Sequence, residues 1–185
     1  MTSPTPDAGV RRARPQDADA LGEVHARAWQ SAYRELLPAR ATAATAPSAL
    51  AEAWRDAVEQ PPSPEHRVLV ATSGPDVVGF VAVSPATDAD AEPGVHAEVL
   101  VLLVDPDQLR RGHGSRLLNA AADTARERGY QVLRCWVPEP DVDRQQFLGA
   151  AGFAPDGAAR ALDAAGDGTT VVREVRLVAL LAPPG

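Results

Sequence analysis

The chain has 185 residues, 45% of them hydrophobic and 23% charged, with 18 basic against 25 acidic side chains and a formal net charge of −7. That length suits one domain able to hide roughly 70% of the surface its unfolded chain exposes, and the composition excludes a disordered polymer. The acidic balance argues against a nucleic-acid binder, which needs a basic stripe to replace phosphate counterions. No run approaches the ~20 apolar residues of a membrane-spanning helix, and residues 1–10 carry no apolar signal-peptide core. A single cysteine, Cys135, excludes an internal disulfide framework and a cysteine-based zinc site. With no lysine in the chain, Schiff-base chemistry is excluded too. The expectation is an acidic, soluble domain of the cytoplasm, with no resident metal.

Residues 1–9 read as a loose leader rich in Thr, Ser, Pro and Gly, and 10–181 as a single folded domain. Residues 10–14 are a short strand candidate. Asp17 reads as a helix N-cap, with Asp19 adding a favourable charge in the first turn. Leu21, Val24, His25, Ala28, Trp29 and Ala32 then recur at helical spacing on one face. Leu36, Leu37 and Pro38 end that helix, and 39–48 reads as irregular. Leu50, Ala53, Trp54, Ala57 and Val58 mark a second amphipathic helix, stopped by Pro61 and Pro62.

The period then changes. Residues 67–72 and 77–84 are Val-rich runs around a Ser73-Gly74-Pro75-Asp76 turn, the pattern of a β-hairpin. An acidic loop with Asp88, Asp90 and Glu92 leads into 95–104, whose last six residues are all apolar, as a strand buried on both faces would be. A loop over 105–113 precedes a helix from Gly114, which turns Leu117, Leu118, Ala121, Ala122 and Ala125 inward and is closed by Gly129. Strand 131–137, a short helix over 143–151, and strands at 160–163 and 171–180 around Asp167-Gly168 complete the chain. The order β-α-α-β-β-β-α-β-α-β-β fits one α/β domain.

The most informative segment runs from Val104 to Ser115, VDPDQLRRGHGS. A strand feeds an Arg/Gly-rich turn and then the start of a long helix. Glycines let backbone N–H groups approach a ligand, the helix start leaves several of them unpaired, and Arg110 and Arg111 add full charges. Ser115 adds a hydroxyl. A diphosphate is the natural occupant. A Walker loop is excluded by spacing and the missing lysine, and a Rossmann fingerprint by the missing third glycine.

These residues resemble the diagnostic [QR]-x-x-G-x-[GA] motif of the GNAT superfamily of acyl-CoA-dependent N-acetyltransferases. Val104-Asp105-Pro106 forms the entry, and Leu109-Arg110-Arg111-Gly112-His113-Gly114 the body, with Leu109 in the place of Gln or Arg. The Trp29–Arg34 run and Gly152-Phe153 extend the likeness over nearly the whole chain. The resemblance implies a mixed, mostly antiparallel sheet of six to seven strands, flanked by about four helices and splayed between the fourth and fifth strands. It implies acetyl transfer from acetyl-CoA, as co-substrate, to a primary amine of a small molecule or protein by direct attack.

Residue by residue, the resemblance places the diphosphate on the amides of Arg110, Arg111, Gly112, His113, Gly114 and Ser115. It places pantetheine along Leu102, Leu103 and Val104, with a backbone amide near 102–103 for the oxyanion. Glu98 is the candidate base. Tyr33 and Glu35 fall beside the acceptor, and Trp29 either joins them or, the reading its residue type favours, packs in the core. Phe147 takes the family's phenylalanine position, Leu148 that of its thiolate-protonating tyrosine, and Asp141 that of its asparagine. Asp88, Asp90 and Glu92 are either a solvated loop or an attractor for a cationic amine. Cys135 and His25 read as packed residues. The substitutions at 141 and 148 keep a second reading open, an acyl-CoA-binding sensor or scaffold. The apolar run 175–181 fits a homodimer interface or a monomer's strand equally.

Overall fold

A computed structural model describes residues 8–33, 46–163 and 171–182. The seven strands form one mixed sheet in the order β1-β2-β3-β4-β5-β7-β6, with four α-helices among the described residues. The helices are α1 (Ala18–Tyr33), α2 (Pro47–Glu59), α3 (His113–Glu127) and α4 (Val142–Ala150). The strands are β1 (Ala8–Arg12), β2 (Arg67–Ser73), β3 (Asp76–Pro85), β4 (His96–Val104), β5 (Val132–Pro138), β6 (Ala154–Asp163) and β7 (Val171–Leu180). The order of elements and the mixed sheet are those expected. The chain divides into two compact units, Met1–Val83 with Val101–Ala121 and Ser84–Leu100 with Ala122–Gly185.

In the first unit β1, β2 and β3 pair antiparallel. Gly74 turns the β2–β3 hairpin at φ +61°, the left-handed region that a side chain disfavours. Leu21, Val24 and Ala28 of α1 pack with Val68, Val70, Phe80, Ala82 and Leu103 into one core cluster. Helices α1 and α2 approach closely at Gly22, where a Cβ would sit 2.4 Å from the Pro47 carbonyl oxygen.

Two local expectations change here. Asp17 does not cap α1. It closes a 3-10 turn over Pro15–Asp17, accepting from the Arg14 amide at 2.7 Å and from Arg11 at 2.7 and 2.8 Å. The two bonds to Arg11 hold its carboxyl below the usual carboxylate range. Helix α2 begins at Pro47, before the apolar pattern that marks it, because proline suits the first helical position, where its missing N–H is no loss.

In the second unit β4 and β5 run parallel, β5 pairs antiparallel with β7, and β7 with β6. The β4–β5 ladder stops at Val99↔Cys135, although β4 continues to Val104 and β5 to Pro138. This is the expected parting of the fourth and fifth strands. It also corrects the reading of β4 as buried on both faces: Ala97, Glu98 and Val99 are buried, while Leu100 is 56% exposed. Beyond the ladder Leu100 is open, whereas Leu103 packs into the core of the first unit.

Strand β6 is longer than the 160–163 expected. Pro155, Asp156 and Gly157 disguise its start, and the register shifts between Pro155 and Ala159. An edge position tolerates them, since an outward proline loses no ladder bond. Helix α3 starts at His113, one residue early, and Ala122 is only half-buried. Gly129 ends α3 at φ +86°, with the Tyr130 amide donating back to the Ala125 carbonyl. The Asp167-Gly168 turn, the 36–38 helix stop and residues 39–45 lie outside the described residues. Among those described, no helix is long and apolar enough to cross a membrane.

Candidate functional site

The anion loop lies in the first unit and is built from β4 outward. The Asp105 amide donates to the Val78 carbonyl at 2.8 Å, fixing the end of the strand. The Asp105 carboxylate then accepts from the Asp107 amide at 2.9 Å and faces Arg27 at 3.0 Å, and Arg27 also pairs with Asp107. This locks the Pro106–Gln108 turn. Leu109 is exposed beyond it.

Next the backbone enters the left-handed region twice, at Arg110 (φ +61°) and Gly112 (φ +79°). Such alternation turns successive amides toward one concavity, a shape suited to anions. Arg110 carries a side chain in a conformation that disfavours one, so local geometry is being held against strain. The first bond of α3 runs from the Arg116 amide to the Gly112 carbonyl, after the amides of His113, Gly114 and Ser115. The macrodipole adds positive charge at that end.

His113 is buried and its Nδ1 lies 3.2 Å from an Arg116 nitrogen. Burial, with Arg116 and Arg111 nearby, pushes its pKa down. Its backbone is therefore what it presents at the loop. Arg116 also donates to the Arg111 carbonyl at 3.1 Å, and its Nε is buried without a partner among the described residues. A Cβ on Gly112 would stand 3.2 Å from the Arg116 guanidinium. Tight backbone, an orphaned buried donor and two exposed arginines, Arg110 and Arg111, fit a diphosphate.

Leu103 is buried and Leu102 and Val104 half-buried. Leu103 passes close to Gly79, where a Cβ would lie 2.9 Å from its carbonyl oxygen. Trp29 is half-buried and edge-on to His25, their ring centroids 5.9 Å apart. Tyr33 ends α1, but its side chain, like all of Glu35, lies outside the described residues.

The second unit carries Glu98. Alternation along paired strands puts Glu98 of β4, Arg134 and Trp136 of β5, and Glu174 and Arg176 of β7 on one face. Leu133, Cys135, Val137, Val175, Leu177 and Ala179 point the other way. Glu98 is 7% exposed. Its carboxylate has no hydrogen bond or ion pair among the described residues. Burial raises its pKa, with Asp88 and Glu174 adding to the effect and Arg160 and Arg134 opposing it. A carboxylate of raised basicity is suited to removing a proton.

Around it the remaining charges are paired. Arg134 meets Asp90 at 3.0 Å and Asp88 at 3.5 Å, and Arg176 meets Asp90, Asp156 and Asp88 at 2.6, 2.7 and 3.1 Å. The bonds from Arg176 hold Asp90 well below the usual carboxylate range. Trp136 Nε1 donates to Asp88 at 3.2 Å. The acidic loop is thus neither simply solvated nor free to draw a cation: Asp88 and Asp90 are committed to buried arginines, and only Glu92 stands clear of them. Arg134, Trp136, Arg160, Glu174 and Arg176 escaped the sequence reading. On β7 a signal was present, Glu174 and Arg176 standing two apart in a mostly apolar run.

On α4, Asp141 caps the helix, accepting from the Arg144 amide at 3.1 Å and pairing with the Arg144 guanidinium at 3.2 Å. Phe147 is half-buried and Leu148 only 2% exposed. Cys135 is buried, and its thiol is pushed up to about 12. It is no nucleophile at neutral pH. Among the described residues no cluster could hold a metal ion.

Known structures share this fold. The fold is similar to that of yncA from Salmonella typhimurium, solved with its cofactor acetyl-CoA, at 18% identity and TM-score 0.70, covering 96% of each chain. It is similar to that of the PaiA N-acetyltransferase of Thermoplasma acidophilum in complex with coenzyme A, at 17% identity and TM-score 0.68, covering 91% of this chain and 98% of that one. In sequence, 76 residues are 34% identical to an uncharacterized N-acetyltransferase of Methanocaldococcus jannaschii. That match spans 41% of this chain and 34% of the relative's length. Residues 26–153, more than half of the chain and inclusive of the anion loop and Glu98, match the model of the Acetyltransferase (GNAT) family, and the chain belongs to that family.

Proposed function

We propose that this protein transfers an acetyl group from acetyl-CoA to a primary amine of a small molecule or protein, by direct attack of the amine. The observation that carries the reading is the anion loop, with two left-handed residues leading into the amides of α3. Acetyl-CoA supplies the activated acyl group when bound. The amides of Arg110 to Ser115 and the arginines beside them hold its diphosphate, with Leu109 alongside. The backbone of Leu102, Leu103 and Val104 holds the pantetheine arm and turns an amide toward developing negative charge. Phe147 and Asp141 are assigned to acetyl-CoA as well. Glu98 takes the ammonium proton, directly or through water, and its raised pKa equips it for that role. Trp29, Tyr33 and Glu35 fall to the acceptor's side.

A thermal melt with acetyl-CoA tests the reading. At about 100 times its Kd a ligand adds about 2.7 kcal/mol, a shift of roughly 5–10 °C for a chain of this size. No shift at millimolar acetyl-CoA would sink the proposal.

One observation favours a second reading. Leu148 fills the tyrosine position of the family and is buried, so no hydroxyl protonates the departing thiolate there. An acyl-CoA-binding scaffold would show the melting shift and release no CoA thiol with any amine.

A further inference from the structure

The charged face of the second unit holds three arginines, and they are not used alike. Arg134 and Arg176 are almost fully buried and their terminal nitrogens are engaged by Asp88 and Asp90, Arg134 also reaching His96 Nδ1 at 2.8 Å. Arg160, on edge strand β6, keeps 43% of its side chain exposed. Its Nε donates to Glu174 at 2.7 Å, and its guanidinium carbon lies 4.3 Å from the centre of the Trp136 ring. One charge-assisted bond and one aromatic stack fix the plane of the group. Neither terminal nitrogen has a partner among the described residues. A guanidinium held in this way presents a ready fork to a planar, two-oxygen anion.

The same face carries one unpaired acid. Among the buried carboxylates described, Asp17 is paired with Arg11, Asp105 with Arg27 and Glu174 with Arg160, which leaves Glu98. Glu98 aligns in register with Arg134, and Trp136 is the next residue on that face of β5, about 7 Å along the strand. A basic carboxylate and an open guanidinium fork thus share one neighbourhood. Their complement is a molecule bearing an ammonium and a carboxylate together.

We infer that the acceptor is an amino carboxylic acid, whose carboxylate is held by the terminal nitrogens of Arg160 while Glu98 receives the proton of its amine. The inference rests on the acetyltransferase reading and names the substrate class of that site. Arg160 is a specificity residue here. Glu174 and Trp136 position it.

The test uses matched acceptors with and without the carboxylate: L-methionine against 3-(methylthio)propylamine, L-phenylalanine against phenethylamine, and 4-aminobutyrate against propylamine. CoA thiol release is followed with acetyl-CoA saturating. A charge-assisted hydrogen bond is worth roughly 10- to 100-fold. The carboxylated member of at least one pair should therefore have kcat/KM at least about tenfold higher, through KM. In Arg160→Gln that ratio should fall toward one, and Arg160→Lys, which keeps charge without the fork, should lie between.

Equal or better use of the decarboxylated amines by the unaltered protein would overturn the inference. So would an unchanged ratio in Arg160→Gln. If nothing turns over, calorimetric binding of the same pairs to the CoA-saturated protein decides: carboxylate-selective binding lost in Arg160→Gln upholds the assignment, and its absence refutes it. Failure of the acetyltransferase reading shows separately, as no melting shift with acetyl-CoA.

Discussion

Trp54 Nε1 donates a hydrogen bond to His25 Nδ1 at 3.1 Å, tying α2 to α1 inside an aromatic group completed by Trp29 and Phe80. The bond requires an unprotonated Nδ1, so the imidazole is neutral with its proton on Nε2. Burial holds its pKa below the ordinary value. A depressed histidine pKa means that the unfolded chain binds the proton more readily. Stability from this group is present above the unfolded pKa, near 6.5, and is lost as pH falls below it. Between pH 7.5 and 5 the unaltered protein should lose more melting temperature than His25→Gln, which does not titrate. Parallel losses would show that His25 does not contribute.

Gly22 sets how closely the same two helices approach. An added Cβ would meet the Pro47 oxygen at 2.4 Å and the Ala51 nitrogen at 2.8 Å, both backbone atoms that cannot yield separately. Gly22→Ala, normally favourable in a helix, should here destabilise by about 1–3 kcal/mol, read from urea unfolding.

Glu98→Gln separates catalysis from stability. Turnover should drop at least about a hundredfold if the carboxylate is the base. Stability should move the other way. A raised carboxyl pKa makes the folded state the tighter proton binder, so stability falls as pH rises from the unfolded pKa through the folded one. Above that window the glutamine variant should gain melting temperature relative to the unaltered protein, with no gain at pH 4. A variant less stable at pH 8 would mean that the charge at Glu98 is structurally satisfied.

Gly112→Ala addresses the anion loop. At φ +79° a side chain is strained, and its Cβ would crowd the Arg116 guanidinium. The melting shift with acetyl-CoA should shrink by more than half, while the ligand-free midpoint falls only modestly. A full shift would place the diphosphate elsewhere.

Leu148→Tyr would place a hydroxyl at the position we assign to the family's tyrosine, which is 2% exposed. Overpacking should cost about 1–3 kcal/mol of stability. If thiolate protonation limits the rate, kcat should rise despite that loss. An unchanged kcat in the folded variant would show that water suffices for the leaving group.

The sequence by itself determined the succession of strands and helices, because hydrophobic period is local: three to four residues through α1 and α3, two through β5. It also showed the glycine-containing turn into α3 that we propose as the anion loop, since Arg110–Gly114 are contiguous and glycine's freedom travels with the residue. The extent of β6 stayed hidden, because Pro155 and Gly157 are breakers everywhere except at a sheet edge, and edges are assigned by pairing. The partners of Asp88 and Asp90 stayed hidden as well. Arg134 and Arg176 are 44 to 88 residues away along the chain and meet those acids only after β5 and β7 align. Glu98 was legible as an acid near the start of β4. That it stands unpaired, while Arg160 presents an open fork over Trp136, was decided by tertiary structure alone, because which charges are satisfied depends on which strands become neighbours.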